Sequence, residues 1–288
     1  MLAEKSAVRI SFSLFSILLI FGLISVTRHA ARASSTATAD TLKDRPNLQN
    51  PQLASNNLPA TTDTPRPSRS LMPEQHTVIA TQLPRSPQSD GFPVALDWQT
   101  AAPISFNADW QGLNSDPGRE TEVRLLWTSE TLFLRFLARY RSITVFPDSE
   151  PSGRRDKLWD RDVAEVFLQP HPSIPTHYKE FEVSPNGFWI DLDIAPGNLH
   201  NLQSGMRRRV TIDEKNKTWS AELAIPIKSL TANFDPGSVW RVNFYRVEGE
   251  TEPRFYSAWG PTGTPQPNFH VPQAFGKLVF KSLPSSQH

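Results

Sequence analysis

An all-β fold is predicted for most of this 288-residue chain, specifically an antiparallel β-sandwich of two sheets in the jelly-roll or immunoglobulin-like manner. Three observations predict it. From His76 onward, short segments alternate apolar and polar residues with period two. Turn residues separate these segments at regular spacing, and no stretch holds a helical period for more than a turn or two. Runs of strands without βαβ alternation pack as antiparallel layers.

Residues 76–81 form a weak first strand. Val123–Trp127 and Leu132–Tyr140 flank Thr128–Thr131 as a hairpin. In its second arm Leu132, Leu134, Phe136, Ala138 and Tyr140 share one face, with Arg135 and Arg139 on the other. Asp162–Gln169 is a further strand. Tyr178–Ser184 and Phe188–Ile194 join through Pro185-Asn186-Gly187, and Asn-Gly is a strong hairpin signal. Arg208–Ile212 and Trp219–Ile225 pair across Asp213–Lys217. Ile227–Leu230 reads as one short helical turn, and Val239–Glu248, Arg254–Trp259 and Gly276–Phe280 complete the set.

The strands are preceded by two segments of different composition. In residues 1–33, Lys5 and Arg9 lead into an apolar run from Ile10 to Val26, followed by Ala31-Arg32-Ala33. That order is a cleavable signal peptide, or an uncleaved N-terminal membrane anchor, since the run sits near the lower limit of ~17 residues for spanning a bilayer. Either reading exports the protein, to the periplasm or the extracellular space. Residues 34–74 are rich in Pro, Ser and Thr with no run able to form a buried stripe, which predicts a disordered linker. The folded domain is then expected over residues 75–283.

Composition narrows the chemistry. Thirty Lys and Arg against 29 Asp and Glu give a net charge of +1, so no global field draws in nucleic acid. The absence of cysteine excludes disulfides, thiolate metal sites and a Cys nucleophile. Eight Trp and 17 Phe against 4 Tyr place large rigid rings in the core, and some are available for a ligand.

Five segments in order resemble the carbohydrate-binding domain of family 9 and its bacterial, DOMON-related kin: Asp90–Ala101, Leu158–Pro170, Tyr178–Ile194, Trp219–Leu230 and Trp240–Phe280. The resemblance implies a β-sandwich that binds oligo- or polysaccharide in an aromatic-lined slot, in proteins linked to polysaccharide breakdown. It also implies a Trp that stacks on sugar at Trp159 and a Glu that assists at Glu165. A second ring is implied from the C-terminal region, where Trp259 and Phe269 are both available.

The residues themselves leave alternatives open. Trp159 lies on a loop that is polar on both sides and either faces a ligand or folds back over a sheet edge. Glu165 shares a strand face with Val163 and Phe167, so it is either buried and paired or placed at a pocket mouth. A buried carboxylate needs a partner, and Arg241 and Arg246 are the candidates. The Gly- and Pro-rich stretch from Trp259 leads into Asn268, Phe269 and His270, a second wall with Trp259 facing Trp159 and polar groups from Asn268 and His270. Glu222 reads as structural. Asp156, Asp160, Asp162, Asp191 and Asp193 carry hard oxygens of the type Ca²⁺ takes, without a defined ligand set; Asp191 and Asp193 are expected on a solvent face. Seven scattered His argue against zinc.

No catalytic residues are expected. A glycoside hydrolase would need two carboxylates about 5–9.5 Å apart beside a cleft, and no local motif places such a pair. Nor does a nucleophile elbow, P-loop or dinucleotide fingerprint occur. A structural envelope protein is a further alternative, and a haem protein would rest on Met206 and His270 alone. A monomer is expected.

Overall fold

A computed structural model describes residues 76–87, 90–148 and 153–284. The segments read as signal peptide or anchor and as linker lie outside these residues. Among the described residues no helix is long and apolar enough to cross a membrane.

β1 (Thr77–Gln82) precedes one turn of α-helix, α1 (Ala95–Trp98). β2 (Ile104–Phe106), β3 (Thr121–Trp127) and β4 (Thr131–Arg139) follow, then β5 (Val163–Gln169), β6 (Tyr178–Val183), β7 (Trp189–Ala195) and β8 (Asn198–Asn201). β9 (Arg207–Asp213), β10 (Thr218–Pro226), β11 (Val239–Glu248), β12 (Phe255–Ala258) and β13 (Gly276–Lys281) complete the strands. They hydrogen-bond in the order β8-β7-β6-β5-β11-β13-β1-β3-β4-β10-β9, with β12 beside β11 and β2 beside β3.

The all-β prediction holds, with two differences in architecture. The strands form one continuous ladder, not two separate sheets, and it curls until its halves face each other. Ala164, Val166 and Leu168 of β5 and Phe244 of β11 therefore meet Leu134, Phe136 and Ala138 of β4 and Trp219 of β10 in one buried cluster. In addition, β1 runs parallel to both neighbours, β13 and β3. Parallel neighbours need a long crossover, and the chain between β1 and β3, which includes α1 and β2, supplies one. Alternation reports which face a residue takes but not the direction of the adjoining strand, so this joint left no mark in the pattern.

The expected hairpins are present. β3 and β4 pair from Thr121↔Ala138 to Trp127↔Leu132, and β9 and β10 pair across Asp213–Thr218. Between β6 and β7, Gly187 takes φ 85°, the left-handed backbone that the Asn-Gly turn requires. Ile227–Ser229 is a single 3-10 turn.

Two smaller clusters cover the outside of the curled sheet. One, with Val163, Phe167, Tyr178, Ile190, Leu192, Tyr245 and Phe275, lies over β5, β6, β7 and β11. The other, with Phe92, Trp98, Leu126, Phe133 and Ala224, lies over β3, β4 and β10.

Candidate functional site

β5 and β6 are buried along their whole length on both faces. Their inner residues are apolar apart from Lys179 at the start of β6, which pairs with Asp193. Their outer residues are not: Glu165 alternates with Val163 and Phe167, while Glu180 and Glu182 alternate with Tyr178. Pairing sets Glu165 directly between Glu182 on β6 and Tyr245 on β11. Glu165, Glu180 and Glu182 are 3, 1 and 0% exposed. Each brings a carboxylate oxygen within 4.8 Å of the other two. Acceptors this crowded and this far from water require donors or cations around them.

Aromatic rings border the carboxylates. Tyr178 stacks on Phe167 at 5.5 Å with ring planes 19° apart, and its hydroxyl meets His270 Nδ1 at 2.7 Å. The same His270 nitrogen lies 4.0 Å from Glu180 Oε2. Tyr245 stacks on Phe269 at 4.2 Å and 13° and donates its hydroxyl to the Phe269 carbonyl at 2.9 Å. Burial pushes the Tyr245 phenol well above its ordinary pKa, and Tyr178, Glu165 and Glu180 add to that rise. At neutral pH the group is therefore a donor.

The segment between Trp259 and Phe275 carries Phe269 and His270 over this face, held by side chains from the sheet. Asn243 Nδ2 donates to the Gly260 carbonyl at 2.8 Å, and Gly260 N donates back to Asn243 Oδ1 at 2.8 Å. Arg241 donates to the carbonyls of Gln273 and Phe275 at 3.3 and 3.0 Å. Trp110 Nε1 bonds the Thr264 carbonyl at 2.8 Å. Only glycine fits at 260, since a Cβ there would lie 2.5 Å from the Ala274 carbonyl oxygen. The 3-10 turn Leu158–Asp160 also packs on β6, entered through Lys157 at φ 56°. Its Leu158 is buried, its Trp159 is half-buried, and the Trp159 carbonyl accepts Arg254 Nη1 at 2.7 Å.

The model of carbohydrate-binding family 9 matches residues 198–280, from β8 into β13. A putative carbohydrate-binding protein of Bacteroides uniformis superposes with a TM-score of 0.58 at 18% identity, covering 72% of this chain and 100% of that one. A family 9 carbohydrate-binding module from Caldicellulosiruptor kristjanssonii, solved with cellotriose and with glucose, superposes with a TM-score of 0.53 at 14% identity in each case; the cellotriose complex covers 74% of this chain and 97% of that one. The region described is a family 9-like domain. A protein of Arthroderma benhamiae described as an extracellular protein is 28% identical over 192 residues, covering 61% of this chain and 85% of that one.

Within the family 9-like domain the outer face of β5, β6, β7 and β11 gathers Glu165, Phe269 and His270. Asn268 is beside them, its Oδ1 accepting the His270 backbone N–H at 3.0 Å. Two residues expected here are elsewhere. Trp259 is 7% exposed and packs inward, edge-on to Phe244 at 5.5 Å and to His76 at 5.1 Å. It follows β12 closely enough to be pulled into the core and does not face Trp159. Arg246 is on the inner side of β11, because it pairs with Ala164 and not with Glu165. It lies over Trp219 and reaches Glu248 at 3.3 Å, so it is not the partner of Glu165. Arg241 is on the outer side but is occupied with the loop carbonyls.

The aspartates are also reassigned in the family 9-like domain. Asp191 and Asp193 share the inner row of β7 with Trp189, so neither lines a solvent face. Asp191 is fully buried, paired with Arg154 at 2.7 Å and bonded by Ser204 N and Oγ at 2.8 and 2.6 Å. Asp193 joins Lys179 and His177. Met206 lies in the inner cluster while His270 is on the outer face, so the two do not form an axial pair. The carboxylates that do converge, Glu180 and Glu182, and the ring of Tyr178 went unselected from sequence. Their signal was present as the polar row of the strand in Tyr178–Val183, which reads equally well as a solvent face.

Proposed function

We propose that this protein is an exported, non-catalytic carbohydrate-binding protein that holds saccharide on the outer face of β5, β6, β7 and β11, in association with polysaccharide breakdown. The observation that carries the reading is the convergence of Glu165, Glu180 and Glu182 beside aromatic rings in a family 9-like fold. A sugar offers hydroxyl donors on its rim and flat C–H faces. Polar groups at the rim of this face meet the former and an indole or phenyl surface stacks on the latter, with the buried carboxylates lying beneath them. Trp159 and Phe269 supply the rings, with Asn268 and His270 as polar neighbours. The related module from C. kristjanssonii in complex with cellotriose and glucose makes glucose-containing saccharides the first ligands to try. The apolar run at 10–26 and the Pro-rich segment 34–74 support export and tethering clear of a surface.

Calorimetry with cello-oligosaccharides tests the proposal. Trp159→Ala should weaken binding at least about fivefold, the scale of ~1 kcal/mol for a lost stacking contact. Unchanged affinity would remove Trp159 from the site. Repeating the titration with EDTA separates bare carboxylates from a Ca²⁺-loaded cluster, since only the latter loses affinity. New reducing ends after incubation with polysaccharide would overturn the non-catalytic reading.

A further inference from the structure

A second cleft lies on the opposite outer face, between α1 and the β3–β4 ladder. Ala95, Trp98 and Gln99 form one wall, and Glu122, Arg124, Arg135 and Leu137 form the floor, around about 550 Å³. That volume falls within the ~300–1,000 Å³ of small-molecule sites. Strand register makes the floor a charged row: Arg209 opposite Glu222, Glu222 opposite Arg135, and Arg135 opposite Arg124.

Three of these four groups are occupied. Arg209 and Glu222 pair at 2.6 Å. Arg124 Nε bonds Glu122 at 2.7 Å, and its Nη1 reaches the carbonyls of Ala101 and Trp98 at 2.8 and 3.3 Å. Arg135 differs: among the described residues its guanidinium makes no hydrogen bond or ion pair, and its Nε is buried. Trp98 is 1% exposed, and its indole N–H likewise has no acceptor among the described residues. Buried indole N–H groups are normally bonded, and the half-buried Arg135 guanidinium, set between Arg124 and Glu222, makes no ion pair with Glu222, whose carboxylate is held by Arg209. Two unmet donors, one of them charged, thus line a single cleft.

We propose that this cleft binds a carboxylate-bearing saccharide unit, a uronate. Its carboxylate takes the Arg135 fork, an oxygen accepts from Trp98 Nε1, and Leu137 contacts the C–H surface. The carboxylate half of the proposal rests on the cleft alone, and the saccharide half on the preceding reading of the protein as a sugar binder.

Calorimetry of the full chain with glucuronate, glucose and glucose 6-sulfate provides the test. Glucuronate should bind, should not be displaced by saturating glucose, and should weaken at least about tenfold in Arg135→Gln, the scale of a lost charge-assisted bidentate contact. Trp98→Phe, which keeps the ring and removes the N–H, should also weaken it while thermal unfolding shows the variant folded. Absence of glucuronate binding, preference for the sulfate ester, or displacement by glucose with Arg135→Gln unaffected would each overturn the second site. Failure of glucose to bind, with Arg135-dependent glucuronate binding retained, would instead overturn the first site and leave this one standing.

Discussion

Arg246 is fully buried between Glu248 at 3.3 Å and Asp162 at 3.9 Å, with Trp219 beneath it. Burial lifts the Asp162 carboxyl to about 6, against the opposing pull of Arg246. Its folded pKa is thus above the unfolded value of 3.8, so the folded state holds this proton more tightly. The resulting stability is complete below about pH 3.8 and is lost as pH rises through about 6. The gap bounds the effect at roughly 3 kcal/mol. Denaturant midpoints measured across that window should fall in the native protein relative to Asp162→Asn; parallel curves would show that Asp162 titrates normally. Gly276 gives a second test. A Cβ there would meet the His76 carbonyl oxygen at 2.5 Å and Trp259 Cζ3 at 2.7 Å. Gly276→Ala should destabilise by about 1–3 kcal/mol through overpacking, read as a fall in Tm. At this scale the sequence was partly legible. It put Glu165 on a face with Val163 and Phe167, but Arg246 and Trp259 could be assigned a side only once their ladder partners were known.

At the scale of elements, hairpins were the most readable parts, because a turn such as Asn186-Gly187 and the flanking alternation both act over a few residues. The course of the segment from Trp259 to Phe275 was not legible, since it depends on side chains far away in the chain. Asn243 is the chief of these, satisfying both backbone groups of Gly260. Asn243→Ala would leave that buried N–H and carbonyl without their bonds, at a cost of about 1–3 kcal/mol for each group orphaned. The expected outcome is faster amide exchange at Gly260 together with weaker saccharide binding, as Phe269 and His270 lose their support. Unaltered exchange at Gly260 would show that the clamp does not hold the segment. β6 was recognised as a strand, yet its carboxylate row was not singled out, because nothing nearby in sequence announces the distant loop that covers it.

At the scale of the whole molecule, β1 joins the two halves. It is the only strand on the path between β13 and β3 among the described residues, paired from Thr77↔Lys277 to Thr81↔Lys281 on one side and through Ala80↔Leu125 on the other. A chain beginning at Leu83 should therefore fail to give a cooperative unfolding transition, whereas one beginning at residue 75 should keep it; circular dichroism melts distinguish them. The all-β class was readable from alternation along the chain. The closure was not, because it is made by a six-residue strand whose two neighbours lie far off in the sequence.

The ladder that β1 closes still has open ends, and β9 is one of them. Arg207, Arg208 and Arg209 stand there in succession. Arg207 is bonded to the carbonyls of Asp90 and Gly91, Arg208 to that of Gly187, and Arg209 to carboxylates of Asp90 and Glu222. A neighbouring copy approaching to extend the hydrogen-bonded array would meet Arg207 and Arg209 on one face of the strand and Arg208 on the other, each already bonded within its own chain. Fibre-like growth from the terminal strand would thus have to disturb these contacts, and the ion pairs among them should weaken as salt shields the charges.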